Sequence, residues 1–347
     1  MLEGYAMLAV TYLVWGSIGA LVRYADAPES LLLVVRMVIA VAVLGALFAR
    51  RATFTELRAC GVRGRLLLMG IISPTCLLLF FVTLRLTDVA IGMFLLFMAP
   101  VYVALLAPRL MGQRPDRIVA PALVVALAGM VAILLPALLG AGDVSLAGLV
   151  CGVATGLLFA AYQLIVKSVS REVRSSTIVL VELTCVIVFL LPLALWQAAG
   201  MEQGLTQRDW VSAVAMGLFA TALAYMLYIE GVRRVRVEHA SILGYLEPVS
   251  APLYAVVLLG EAPAATTLAG GALIVVAGLL IVRYGAADVA PEPGRPPLEL
   301  PAAGEADAGR AAGEGRAAGE GDGGRAAGAG AGAAAPLAGD AKAPPIR

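Results

Sequence analysis

Tyr245-Leu246-Glu247-Pro248-Val249-Ser250-Ala251-Pro252-Leu253-Tyr254-Ala255, running on to Gly260-Glu261, repeats an earlier stretch of the same chain. Moved back by 148 residues, it lays Glu247-Pro248 on Ala99-Pro100 and Gly260-Glu261 on Gly112-Gln113, with Tyr102 in the matching earlier segment and Arg233 on Arg85. Elsewhere the offset drifts by a few residues, as loop differences allow: Glu182 falls on Arg36, and Phe159 with Lys167 falls on Trp15 with Arg23. The chain therefore reads as a doubled unit, with one copy over residues 1–140 and the other over 141–285.

What each unit is made of follows from its apolar content. The chain has 347 residues, of which 61% are apolar and 14% charged, whereas a soluble domain is about half apolar and about a quarter charged. Residues 286–347 are mostly Ala, Gly and Pro with scattered charge, so the hydrocarbon is concentrated before them. A helix needs about 20 apolar residues to cross a bilayer, and ten stretches qualify, at roughly 4–22, 30–49, 65–84, 89–109, 117–139, 146–167, 176–197, 210–230, 239–259 and 264–283. These runs are continuous, without the alternation of barrel strands, so helices are the structure that satisfies the backbone in lipid. The expected fold is an all-α polytopic membrane protein of ten transmembrane helices. Its first span is preceded by no Lys or Arg, unlike a cleaved signal peptide, and is expected to remain as a helix.

Five spans per unit is an odd number, so the second copy enters the membrane from the opposite side. The expectation is two inverted five-helix repeats, the architecture that places a binding site near the midplane where the copies meet. Basic residues set the orientation. With a cytoplasmic N-terminus, the inner loops hold Arg50, Arg51, Arg58, Arg63, Arg65, Arg109, Arg114, Arg117, Lys167, Arg171, Arg174, Arg233, Arg234 and Arg236; the outer loops hold only Arg23, Arg85 and Arg208. Both termini are then cytoplasmic. The tail, with near-copies of Arg310-Ala311-Ala312-Gly313-Glu314-Gly315, is expected to be a disordered cytoplasmic extension.

Composition also removes whole classes of function. The first 285 residues carry 19 basic and 15 acidic side chains, and the tail 6 and 9, so nothing resembles a nucleic-acid footprint. Cys60, Cys76, Cys151 and Cys185 form no CxxC pair, and His239 is the one histidine; neither a metal centre nor a cofactor site is expected. No Gly-x-x-x-x-Gly-Lys-Ser/Thr loop for ATP is present.

Charges inside spans are costly and mark function. Arg36, with a planar fork of donors, suits a substrate carboxylate, with snorkelling to the outer interface or a fixed hydrogen bond to neighbouring carbonyls as the alternatives. Glu182 is a candidate contact for a cation or proton on the cytoplasmic side, against snorkelling or pairing with Lys167 or Arg171. Glu247, deepest and beside Pro248, is the best contact for an amine or proton, against a protonated carboxyl bonded to a neighbouring helix. Trp15, Tyr102 and Tyr245 fall in mid-span and are the preferred aromatic contacts. Pro100 and Pro248, at matching depths in opposite directions, are candidate bends. His239 reads as a solvated residue at a span end.

The chain resembles the EamA-like transporters of the drug/metabolite transporter superfamily over roughly residues 4–283. The likeness rests on Trp15-Gly16, Arg36, the segment from Pro100 to Gly112-Gln113, and the segment from Tyr245-Leu246-Glu247-Pro248 to Gly260-Glu261. Gln113 stands where the family usually has Glu. The resemblance implies export or exchange of small metabolites, amino acids or drugs, a central cavity lined by helices one, three, four, six, eight and nine, and a place in the cytoplasmic membrane. The reading is a secondary transporter working by alternating access, as monomer or homodimer, with protons open as a coupled ion. A lipid-modifying membrane enzyme and a channel or scaffold are the competing classes.

Overall fold

In hydrocarbon a backbone amide can bond only within its own helix or to protein beside it, so the apolar runs become helical throughout. The computed structural model describes residues 2–48, 62–112, 116–140, 145–201, 203–260 and 263–286. Within them ten helices are long and apolar enough to cross a membrane, and no strand occurs. Spans one to five are Leu2–Tyr24, Glu29–Phe48, Arg63–Leu86, Val89–Leu110 and Val119–Leu139. Spans six to ten are Leu146–Ser170, Ser175–Ala199, Gln207–Arg234, Val237–Leu258 and Ala265–Tyr284. The tail from 287 onward, Arg50, Arg51, Arg58, Arg114, Gln113 and Glu261 lie outside the described residues.

The bundle turns large apolar side chains outward, among them Leu139, Leu146, Trp196 and Val257. Such a belt is a liability in water and is matched by lipid. Inside, one apolar core runs from Tyr5, Leu8 and Tyr12 through Met69, Leu183 and Ile229 to Ile281.

The packing has a regular plan. Span one lies along span eight, span three along span six, span two along span seven and span five along span ten. Exchanging the members of each equivalent pair, one with six through five with ten, leaves that plan unchanged. Spans five and ten are antiparallel: a Cβ on Gly129 would meet Ile274, whereas one on Gly270 would meet Ile133, so contacts advance along one helix as they retreat along the other. Small residues at such crossings let two backbones approach, which is how helices gain dispersion contact in lipid.

Spans four and nine are each broken. Val89–Leu96 stops and Ala99–Leu110 begins; likewise Val237–Leu243 stops and Leu246–Leu259 begins. The breaks come just before Pro100 and Pro248, not at them. A proline lacks the N–H of a helix interior yet fits a first helical turn, and both prolines sit in the first turn of the restarted helix. Both segments end on glycines in the left-handed region, Gly112 at φ 63° and Gly260 at φ 72°, a conformation that costs a side-chain-bearing residue and suits glycine at a helix end. The two breaks touch, with the rings of Phe97 and Tyr245 stacked at 6.1 Å and Tyr245 Oη donating to the Phe97 carbonyl at 2.7 Å.

Candidate functional site

Arg36 and Glu182 each sit seven residues in from the first residue of their helix, Glu29 and Ser175. At about 1.5 Å per residue that is about 10 Å of depth. Arg36 is 7% exposed, and its buried Nε and Nη1 have no hydrogen-bond partner among the described residues. Its electrostatic neighbours are Tyr225 on span eight and Glu247 on span nine. Glu247, an electrostatic neighbour of that guanidinium, is half-buried as a residue.

Two glycines bring these helices together. A Cβ on Gly16 would meet the Glu247 carbonyl at 2.8 Å, and one on Gly217 would meet the Arg36 carbonyl at 2.9 Å. Span one therefore approaches the backbone at Glu247, and span eight approaches that at Arg36. Gly217 belongs to a π-helical stretch, Met216–Leu223, a departure from α-geometry often found at functional sites. Within it the Ala220 carbonyl accepts from Trp15 Nε1 at 2.9 Å.

Trp15 is the hub of an aromatic wall. Its ring centroid is 5.5 Å from Tyr12, 5.2 Å from Tyr225 and 5.3 Å from Tyr228. Tyr12 in turn donates to the Ala240 carbonyl at 3.0 Å. Behind this wall Glu182 is 1% exposed and accepts two hydroxyl bonds, from Tyr162 at 3.0 Å and from Ser73 at 3.1 Å. Tyr225 has both Glu182 and Glu247 as electrostatic neighbours.

The structure thus brings Trp15, Arg36, Glu182 and Glu247 around one polar interior. Tyr102 stands apart, against Gly156 of span six and the small core of Ala99, Val103 and Leu164. Tyr245 is fully buried with its hydroxyl held by Phe97, so it joins the two breaks instead of facing open space. Ser73, Tyr12, Tyr162, Tyr225 and Tyr228 are the partners that residue-type reasoning passed over or ranked lower. A signal for three of them was present: Tyr12 with Trp15, and Tyr225 with Tyr228, are i, i+3 pairs that share a helix face.

Lys167 makes no pair with Glu182. Its Nζ donates to the carbonyls of Val232 at 2.7 Å and Val235 at 2.5 Å, at the end of span eight. Arg233 reaches back from that end to the carbonyls of Ser170 and Val173, the latter at 2.7 Å. At this end of the bundle Arg65 also pairs with Glu172 at 2.8 Å.

His239 corrects the reading of a solvated residue. It is fully buried, bonded by Tyr5 at 2.8 Å and Asp116 at 2.9 Å, because Tyr5 of span one and Asp116 in the approach to span five both fold over it. Asp116 further accepts from the backbone of Ala286 at 2.6 Å and of Ile118 at 3.2 Å. Burial works against the charge on Asp116, but the two backbone donors and the His239 ring outweigh it and hold the carboxyl below the usual carboxylate range. A carboxyl with a lowered folded pKa adds stability above its ordinary pKa and loses it as pH falls through the folded value. Asp116→Asn should therefore cost about 1–3 kcal/mol near neutrality. The gap in melting temperature from wild type should close below about pH 4; a gap constant with pH would remove the ionised carboxylate from the account.

The EamA-like transporter family matches residues 2–135 and again 146–283. The chain belongs to the EamA-like transporter family. Two relatives carry the same kind of description: this EamA-like chain is similar to an uncharacterized transporter of Archaeoglobus fulgidus, 32% identical over 196 residues, 56% of this chain and 67% of that protein. It is also similar to the uncharacterized transporter YwfM of Bacillus subtilis, 30% identical over 207 residues, 59% of this chain and 68% of that one. A solved crystal structure superposes with TM-score 0.65 at 20% identity, covering 80% of this EamA-like chain and 95% of its own, a likeness of fold alone. It is a multi-pass membrane protein and a membrane transporter.

Proposed function

We propose that this chain is a secondary transporter that moves a small zwitterionic metabolite, of the amino-acid class, across the cytoplasmic membrane by alternating access, as an exporter or exchanger. The observation that carries the reading is Arg36. A guanidinium buried at membrane depth with Nε and Nη1 unbonded lacks the acceptor its desolvation requires. A substrate carboxylate supplies that acceptor in bidentate geometry. Glu247, beside it, suits the substrate's ammonium group, with Trp15 and Tyr225 as apolar walls.

Inverted units over residues 1–140 and 141–285 supply the two openings. The antiparallel run of spans five and ten, equivalent in the repeat, supports inversion. So does the contact of Phe97 with Tyr245, positions 148 residues apart. Alternation draws support from an asymmetry between equivalent residues: Lys167 and Arg233 are drawn into the bundle, whereas their counterparts Arg23 and Arg85 are exposed. One end is then closed and the other relaxed. Both termini and the tail, residues 286–347, belong to the cytoplasmic side on the arginine count.

Purified protein in liposomes, tested with a panel of radiolabelled amino acids and their decarboxylated amines, checks this. Saturable flux with counterflow of amino acids and none of the amines is the expected result; a non-saturating conductance or lipid turnover would move the protein to another class.

A further inference from the structure

Glu182 is the buried group that substrate binding leaves without a task. It lies on span seven, behind Trp15 and its tyrosines, with the carboxylate 1% exposed. The groups that face it come from three other helices: Ser73 on span three and Tyr162 on span six, which bond it, and Tyr225 and Tyr228 on span eight. Cys185 is its neighbour on its own helix. All are neutral. The charged residue of span two, Arg36, has Tyr225 and Glu247 as its neighbours, and Lys167 is committed to carbonyls at the end of span eight.

A carboxylate bonded only by hydroxyls, at a depth where desolvating an ion costs several kcal/mol, has one small cation that relieves it without needing further ligands. A hard metal cation takes a shell of about six or more oxygen ligands, and among the described residues the oxygens bonded to the carboxylate are the two hydroxyls of Ser73 and Tyr162. A proton needs one oxygen, and the hydroxyls can turn to accept from the neutral acid as readily as they donate to the anion.

We propose that Glu182 is a proton-binding site and that its proton is the ion exchanged against the substrate held at Arg36 and Glu247; this rests on the transporter reading above. The proton enters from the bulk on one side, resides on a Glu182 oxygen as a neutral carboxylic acid, and leaves to the bulk on the other. No covalent bond to substrate forms and no redox change occurs. Tyr225, neighbour to Glu182 on one side and to Arg36 and Glu247 on the other, is the positioning residue through which occupation of one site is felt at the other. A cationic amine at Glu247 and a proton at Glu182 then compete for the same pool of negative charge, so exchange is favoured over joint occupancy.

Two measurements on the full-length protein test this. Infrared difference spectra across a pH titration, without any substrate, should show a carboxylic-acid C=O band that is absent in Glu182→Gln, retained in Glu182→Asp, and shifted in Tyr162→Phe, which removes one hydroxyl without touching the charge. In liposomes with the amino acids of the panel above, an imposed pH gradient should drive accumulation at least tenfold in wild type. In Glu182→Gln it should fall to equilibration, with counterflow retained; in Tyr225→Phe the accumulation should fall by more than the counterflow rate does. Identical titrating bands in wild type and Glu182→Gln overturn the proton site. Flux that is saturable but indifferent to the pH gradient overturns the coupling and leaves the transporter reading standing. Absence of flux from every amino acid overturns the amino-acid reading of the substrate, while the infrared bands still decide whether Glu182 takes the proton.

Discussion

Arg36→Met is expected to reduce transport of a carboxylate-bearing substrate by about 10- to 100-fold, the range set by a charge-assisted bond worth about 1.5–3 kcal/mol at about 1.4 kcal/mol per decade. Made together with Glu247→Gln, the same substitution is expected to leave the protein as stable as before, or more so. A structural arginine earns its place through bonds, and its removal strands their partners; Arg36 has two buried nitrogens with none. Replacing a buried charged pair as a whole by uncharged side chains of similar volume is often neutral or stabilising by about 1–4 kcal/mol. Glu247 loses its cationic neighbour in the single variant, so Arg36→Met combined with Glu247→Gln separates that penalty from the effect at position 36. Arg36→Lys keeps the charge but not the planar fork, and should fall between wild type and Met in flux. Flux assays and thermal melting in detergent, read together, decide the matter. Intact flux with a lowered melting temperature would make Arg36 a packing residue and leave the proposed substrate site without its anchor.

The reach of sequence reasoning here divides along physical lines. Spans are legible because lipid demands length and apolarity over a continuous stretch, and the run 117–139 differs from the helix Val119–Leu139 only at its start. Span eight is the least well bounded: the apolar run 210–230 becomes Gln207–Arg234. Its charged ends remain helical for reasons hydropathy does not register. Thr206 and Asp209 form a capping box at one end, and Arg233 and Arg234 pair with Glu230 one turn back at the other. Charged site residues are legible for the same reason spans are, since Arg36, Glu182 and Glu247 interrupt hydrocarbon at a visible cost. Their tyrosine partners are not, because a tyrosine in an apolar helix looks the same whether it packs against leucine or bonds a carboxylate. Which of the two it does depends on three helices converging: Glu182 is solvated by Tyr162 from span six and Ser73 from span three. His239 shows the same limit in reverse. Its place beside a span end suggests water, and only the arrival of Tyr5 and Asp116 from distant parts of the chain buries it.

Lys167→Met carries the second large effect, and it acts on conformation more than on binding. The last carbonyls of a helix have no N–H within the helix, and a cation there also meets the negative end of the helix dipole. Lys167, 1% exposed, satisfies Val232, Arg233 and Val235 in this way, while Arg233 returns the service to Ser170 and Val173 at the end of span six. Spans six and eight therefore cap each other, and neither can swing outward without exposing bare carbonyls to the other's apolar flank. Removing the ammonium leaves three carbonyls without that donor, a loss on the order of 3 kcal/mol, or about 100-fold in an equilibrium. The loss falls on the arrangement in which this end is shut. With Cys60, Cys76, Cys151 and Cys185 replaced by alanine, a reporter cysteine at Val235, 1% exposed in the shut arrangement, should be labelled by a membrane-impermeant maleimide at least tenfold faster in the Lys167→Met background. A reporter at Asp26, exposed at the opposite end, should become slower to label: on the alternating-access proposal the doubled unit closes one end as it opens the other, with Arg23 and Arg85 taking up the mutual capping that Lys167 and Arg233 release. If Val235→Cys stays protected while Asp26→Cys labels as before, the reciprocal caps are a rivet that holds the bundle together, and the two ends do not alternate through them.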